Sequence, residues 1–114
     1  MKQQYIDMVR NAVSDTFYDK TVELYNTVEV VGEELDVVRQ KGELKEKIQC
    51  NVHTIGDKVL KQDYGLNIQA NIMLTCSSTK AIKGDIITYN NQDYKVVEIL
   101  VKDTHIKIFG DSNG

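Results

Sequence analysis

The sequence has no proline, only two cysteines and no long apolar run. Each of these shortages bears on which kinds of fold and site the chain can form. Without about 18–20 consecutive apolar residues, no transmembrane helix is expected, and we predict no membrane contact. Cys50 and Cys76 lie far apart and outside any C-x-x-C pair, so neither a disulfide framework nor a four-ligand zinc site is predicted. With proline absent, the seven glycines are left to mark the turns.

The chain also has no excess of positive charge. It carries 14 Lys and Arg against 17 Asp and Glu in 114 residues, a formal net charge of −3. Affinity for a phosphate backbone comes from clustered basic residues, and here they are interspersed with acidic ones, so at most non-specific contact with DNA is expected. The N-terminal residues lack the apolar stretch of a signal peptide, which predicts a protein that stays in the cytoplasm where it is made.

Residue patterns typical of catalysis are missing as well. His53 and His105 accompany no recognisable nucleophile motif, and the singly placed glycines form no phosphate-binding loop. Cys50 and His53 could suggest a metal, but on a strand an odd separation directs two side chains to opposite faces. We therefore predict a protein that is not an enzyme, with no cofactor and no metal site.

The apolar residues that are present follow two periods. In residues 1–17 they recur at helical spacing, as Ile6, Val9, Val13 and Phe17 do, and the resulting stripe could pack on the protein's own sheet or on a neighbouring subunit. From Thr21 onward the period is two, most clearly over residues 47–53 and 66–76. We predict a mainly β fold, a small antiparallel β-barrel or sandwich with an N-terminal α-helix, as a single domain over residues 1–114: helix 1–17, barrel 20–109 and loose tail 110–114.

Residues 83–101 are typical of a β-hairpin. We predict that residues 86–89 form one strand, that the four polar residues 90–93 reverse the chain, and that residues 94–101 form the second strand. Tyr89 and Tyr94 would then face each other across the turn. Gly84 is predicted to have a positive φ just before the hairpin.

Residues 31–44 interrupt the alternation and are predicted to form a protruding ribbon or loop. The segment is bounded by Gly32 and Gly42 and mixes charged residues with an apolar centre. A polar loop tip is often only solvated surface, which is one interpretation. The apolar centre favours a second one, in which the segment meets another protein.

Three blocks of the sequence resemble the head-completion, or stopper, proteins of tailed phages and of prophage-derived tail-like particles. They are IQCNVH at residues 48–53, KQDYGL at residues 61–66, and KGDII-x-Y at residues 83–89 with YKV at residues 94–96. The resemblance extends over about residues 22–109. A proline that the family often has after the first block is missing from residues 54–56.

The resemblance implies a small β-barrel that assembles into a homo-oligomeric ring, either by itself or only on its template, in the neck of a virion or tail-like particle. Such a ring lies between the portal with its adaptor and the tail terminator, and it closes the DNA channel. The candidate interface or channel residues are Glu33, Glu34, Leu35, Asp36, Val37, Val38, Arg39, Tyr64 and Leu66.

Two alternatives stay open at the level of sequence. The chain could be a collar protein that caps the tail of a headless contractile particle, such as a bacteriocin or a defective prophage. It could also be a free-standing β-barrel that binds a small ligand or peptide.

Overall fold

The computed structural model describes residues 18–34, 36–56, 61–62 and 64–112. It contains six strands: β1 (Lys20–Val31), β2 (Val37–Thr54), β3 (Ile72–Cys76), β4 (Ile86–Tyr89), β5 (Gln92–Val101) and β6 (Ile106–Asp111). They form a closed antiparallel barrel in the order β1-β2-β3-β6-β5-β4. The predicted mainly β fold is confirmed, while the predicted helix at residues 1–17 lies outside the described residues.

The barrel interior is filled by the residues that the two-residue period directs to one side of each strand. Leu24 and Leu74 are fully buried, and none of the ten residues of this core exposes more than 2% of its surface. Its members are Val22, Leu24, Ile48, Cys50, Ile72, Leu74, Cys76, Ile87, Val96 and Ile108. The alternation predicted over residues 47–53 is therefore confirmed at Ile48 and Cys50.

The hairpin of β4 and β5 is confirmed, but its predicted four-residue turn is wrong. Only Asn90 and Asn91 lie in the turn, with φ values of 52° and 62°. Asparagine tolerates positive φ, and two such residues give the tight type I′ turn that suits the twist of a hairpin. Tyr94 consequently lies opposite Ile87, and not opposite Tyr89 as predicted.

The predicted strand over residues 66–76 is shorter in the structure, where β3 begins at Ile72. β2 ends at Thr54, which pairs with Ile72, and beyond this pair only Asn71, among the described residues, still bonds to the chain after β2, where its carbonyl oxygen accepts from the Ile55 N–H at 3.2 Å. The residues before Ile72 instead cover the outside of the barrel. There Ala70 joins Met73 of β3 and Phe109 of β6 in a second apolar cluster.

The predicted loose tail at residues 110–114 begins two residues too early. Gly110 and Asp111 are buried and belong to β6, whereas residues 113–114 lie outside the described residues. A Cβ at position 110 would be 2.9 Å from Ile72 Cγ2 and 3.0 Å from Tyr94 Cβ. Glycine therefore lets β6 pass closely between its neighbours.

Candidate interaction surface

The hairpin of β1 and β2 continues beyond the barrel as a two-stranded ribbon, residues 26–43. β1 pairs with β4 only over Glu23, Leu24 and Tyr25, and β2 pairs with β3 only from Cys50 onward. Along the rest of the hairpin, within the described part of the chain, the two strands pair only with each other. The ribbon therefore has two open edges, which is a surface that proteins commonly use to bind another chain.

Of the protruding ribbon or loop predicted over residues 31–44, the structure shows the ribbon, because most of this segment is strand. The interruption is confined to residues 32–36, where the Gly32 N–H donates to the Asp36 carbonyl oxygen at 2.8 Å. Val37, Val38 and Arg39 already pair in β2. Their partners Val31, Val30 and Glu29 form the other leg of the ribbon, which the sequence prediction did not include although the alternation of Val28 and Val30 indicated it.

Two bulges in β2 mark the place where the ribbon leaves the barrel. Leu24 pairs with Glu46, Tyr25 with Leu44 and Thr27 with Lys41, so β2 contains two more residues than β1 over this stretch. Extra residues of this kind increase strand twist and re-aim side chains.

Gly42 leaves room for the side chain of Asn26 at the second bulge. A Cβ there would clash with Asn26 Oδ1, which accepts a hydrogen bond from the Glu43 N–H at 2.7 Å. The side chain of Asn26 therefore fills the space above Gly42 and holds the two legs together.

The inner face of the ribbon is apolar and uncovered within the described residues. Both extra residues of the bulges lie in β2, so the side chains of β1 alternate without interruption. The inner face of the ribbon is therefore the same face of β1 that carries Val22 and Leu24 inside the barrel. Outside the barrel the same face presents Val28, Val30 and Val38, which are 42%, 38% and 45% exposed. A contiguous apolar surface of this kind is typical of a site of protein contact.

The tip of the ribbon is acidic. Glu33, Glu34 and Asp36 are all exposed, and none of their carboxylates forms an ion pair with any residue that the structure describes. Val31 and Val37, which flank the turn, are 63% and 62% exposed. Leu35 lies outside the described residues. The tip, residues 31–37, thus combines three carboxylates with two exposed apolar side chains.

A basic cleft lies beside the ribbon, on the outer surface of the barrel. It consists of two adjoining cavities of about 370 and 230 Å³ that share Arg39, Gly84 and Lys95. The other lining residues that matter here are Lys83, Lys41 and Val97. Four cationic side chains from β2, β5 and the turn before β4 therefore meet at one place.

Three of the four cations in the basic cleft have an acidic partner. Arg39 lies 3.6 Å from Glu29, Lys41 lies 3.3 Å from Asp93, and Lys83 lies 3.3 Å from Glu98. These pairs are largely exposed and therefore weak. Lys95 forms no ion pair with any described residue, so the basic cleft keeps a positive balance.

A partly buried ion pair fixes the loop that forms one wall of the basic cleft. Lys45 Nζ lies 2.6 Å from Asp85 Oδ2 and also donates to the Lys80 carbonyl oxygen at 2.9 Å. Asp85 Oδ2 accepts a further hydrogen bond from the Ile82 N–H, and Glu46 Oε1 accepts from the Lys80 N–H. Lys45 and Glu46 lie at the first bulge, so the bulge attaches this loop to the base of the ribbon.

The two cysteines face each other inside the barrel. Cys50 of β2 pairs with Cys76 of β3, and both are free thiols that are fully buried. Burial, assisted by the neighbouring Cys76, raises the pKa of Cys50 to about 12, and burial with the nearby Glu46 raises the pKa of Cys76 to about 12. Buried neutral thiols are poor nucleophiles and poor metal ligands.

His53 is exposed whereas Cys50 is buried, so the two lie on opposite faces of β2. Among the described residues, no group of three or more His, Cys, Asp or Glu side chains is placed to hold a metal ion. No helix in the same ranges has the length and apolar character needed to cross a bilayer.

Tyr64 and Leu66, the remaining predicted interface residues, lie away from the ribbon in the second apolar cluster. The Tyr64 ring meets Phe109 edge to face, with centroids 5.4 Å apart and an interplanar angle of 69°. Lys107 Nζ lies 5.8 Å from the centre of the Tyr64 ring. Leu66 packs against the same cluster. Both residues therefore have a packing role within the chain, whereas the predicted residues at 33–34 and 36–39 come together on the ribbon.

The fold and this surface define the chain as a small closed β-barrel with a projecting two-stranded arm. The sequence matches no family model and no curated protein. Among solved structures it is similar to the solution structure of protein SF1141 from Shigella flexneri 2a, with a TM-score of 0.58 at 11% sequence identity. The match covers 87% of this chain and 97% of that one, and it supports the β fold.

Proposed function

We propose that the protein is a structural component of a phage-type neck, a head-tail connector or stopper that forms a ring between the portal with its adaptor and the tail. The proposal draws on the resemblance of residues 48–53, 61–66 and 83–96 to head-completion proteins and on the small β-barrel fold. In this role the protein acts through contacts with other proteins, and it requires neither a cofactor nor catalysis.

The observation that supports this proposal most directly is the ribbon. The two strands extend past their last paired neighbours and leave Val28, Val30 and Val38 in water, where these side chains do not add to the core of a free-standing barrel. A ring subunit does gain from them, because an arm with an apolar face and open edges can lie on the adjacent subunit and exclude water there. The ribbon is therefore the part of the molecule expected to contact a neighbour.

Removal of the ribbon tests this function. Thr27 and Lys41 pair directly, so residues 28–40 can be replaced by Asn-Gly, which forms a two-residue hairpin turn. We expect the shortened protein to fold, with a circular dichroism spectrum and a cooperative melt like those of the wild type. In a particle whose own copy of the protein is replaced by this variant, we expect heads and tails that fail to join, counted by electron microscopy.

The matched control keeps the ribbon and changes its composition at a site away from the apolar face. Glu43→Lys alters one exposed charge near the base of the ribbon and should give normal particles. Joined particles with retained DNA in the presence of the shortened protein would refute the role of the ribbon. Absence of the tagged wild-type protein from the neck of purified particles would refute the proposed function itself.

A further inference from the structure

We propose that the acidic tip of the ribbon of one copy docks into the basic cleft of a second copy, so that tip and cleft form a head-to-tail contact between identical chains. The inference rests on the ring in the proposed function and names the two surfaces that would join its subunits. Residues 31–37 supply one surface, and Arg39, Lys41, Lys83 and Lys95 supply the other.

The two surfaces match in charge. Among the described residues, no cation is paired with Glu33, Glu34 or Asp36 of the tip, and no carboxylate is paired with Lys95, one of the four cations of the basic cleft. Opposite charges brought together at the rim of a contact select the partner and speed its approach.

The two surfaces also match in apolar character. Val31 and Val37 project at the tip, more than 60% exposed, and the half-buried Val97 lines the wall of the basic cleft. Burying Val31 and Val37 against that wall would remove apolar surface from water, which the charges alone would not achieve.

The tip cannot enter the cleft of its own chain. Arg39, which lines the cleft, is part of the ribbon itself, only three positions after Asp36, and the pairing of Val31 with Val37 keeps the tip directed away from it. Each copy therefore offers one tip and one cleft, at different places on its surface. A contact between two unlike surfaces of identical chains propagates from copy to copy and closes into a ring when the rotation allows it.

A nucleic acid is a poorer occupant of the basic cleft. Its backbone would bring successive phosphates past Glu29, Asp93 and Glu98, which already accompany three of the cations. The three carboxylates of a tip, in contrast, form a short and bounded patch of negative charge.

Zero-length cross-linking tests the contact directly. A carbodiimide joins a carboxylate to an amine only where the two touch, and a mixture of ¹⁴N and ¹⁵N protein distinguishes links between copies from links within one. In concentrated protein and in purified particles, we expect mixed-isotope links from Glu33, Glu34 or Asp36 to Lys41, Lys83 or Lys95. Tip links that go only to Lys47, Lys61 or Lys102, or no mixed-isotope links in either sample, would overturn the proposal.

Charge reversal provides a second test, by sedimentation velocity. Glu33→Lys with Glu34→Lys reverses the tip, and Lys83→Glu with Lys95→Glu reverses the cleft, and each pair should weaken self-association by about tenfold or more. An equimolar mixture of the two variants should recover association, because each reversed surface finds its complement in the other variant. The controls, Glu43→Lys for the tip and Lys61→Glu with Lys102→Glu for the cleft, should associate like the wild type. Equal association of reversed and control variants, or no recovery in the mixture, would overturn the proposal.

Two further outcomes separate this inference from the function on which it rests. Binding of a single-stranded DNA oligonucleotide at physiological salt, lost in Lys95→Glu and unaccompanied by self-association, would assign the basic cleft to nucleic acid and overturn the docking of a second copy. Normal particles with the charge-reversed variants in the neck would overturn the tip-cleft contact and leave the neck function standing.

Discussion

Gly84 is held in a conformation that other residues adopt only at a cost. Its φ is 97°, and its N–H donates to the Val96 carbonyl oxygen at 2.9 Å, which fixes the turn to β5. A Cβ at this position would meet only Arg39 Nη1, at 3.8 Å, so the cost of a substitution comes from the backbone and not from crowding. We expect Gly84→Ala to lower the free energy of unfolding by about 1–2 kcal/mol, measured by urea denaturation.

Gly56 provides the control for this prediction. It has no heavy atom within 4 Å of an added Cβ and does not have a positive φ. Gly56→Ala should therefore leave the stability within about 0.5 kcal/mol of the wild type. Equal stability of the two variants would mean that the turn before β4 tolerates a side chain.

The paired thiols of Cys50 and Cys76 predict a loss of stability at alkaline pH. Burial raises the pKa of each from 9.0 to about 12, so the folded protein keeps both protons at pH values where the unfolded chain releases them. The free energy of unfolding that the two protonated thiols contribute is fully present below pH 9 and is lost as the pH rises from 9 to 12. Urea denaturation across this range should show the decline, and a Cys50→Ala, Cys76→Ala variant should show a shallower one, since lysines and tyrosines still titrate. Parallel pH profiles of the two proteins would contradict the prediction.

At the scale of the element, apolar residues alternate along the whole of β1, but its first half is buried in the barrel and its second half is exposed on the ribbon. Val22 is fully buried, whereas Val30 and its partner Val38 are 38% and 45% exposed. A hydroxyl buried without a partner costs about 1–3 kcal/mol, so Val22→Thr should destabilise the barrel by that amount. Val30→Thr with Val38→Thr keeps the β-branched shape in water and should change stability by about 0.5 kcal/mol or less.

The same two variants separate folding from assembly. If the ribbon contacts a neighbour, the Val30→Thr, Val38→Thr protein should melt like the wild type and yet join fewer heads to tails. Joining that is unimpaired in this variant would show that the apolar face of the ribbon has no role in the assembled neck.

The strands that could be predicted are those with one face toward the core and the other toward solvent. Ile48 and Cys50 alternate with polar residues because one side of β2 lines the core, so hydropathy alone predicts the strand. The register of the β4–β5 hairpin could not be predicted in this way. All four residues 90–93 suit a turn, and the choice of Asn90 and Asn91 depends on their positive φ, which hydropathy does not record.

At the scale of the whole molecule, the basic cleft illustrates what a single sequence conceals. Its cations are interspersed with acidic residues along the chain, which led to the expectation of at most non-specific contact with DNA. Closure of the barrel brings Arg39 of β2 next to Lys83 and Lys95 of the β4–β5 region. The acidic tip, in contrast, could be predicted from residues 33–36, because its members are neighbours in the sequence.

The unequal pairing of β1 on its two sides determines how the barrel would respond to mechanical force. β1 pairs with β2 from Lys20 to Val31, but with β4 only over Glu23, Leu24 and Tyr25. A pull on the ribbon is transmitted along both legs into the barrel wall. The hydrogen bonds of the short β1–β4 pairing should break first, while the β1–β2 hairpin stays intact and moves as one rigid unit. Optical-trap extension from the ribbon tip should show an early rupture that a disulfide placed across this pairing, Glu23→Cys with Thr88→Cys, removes.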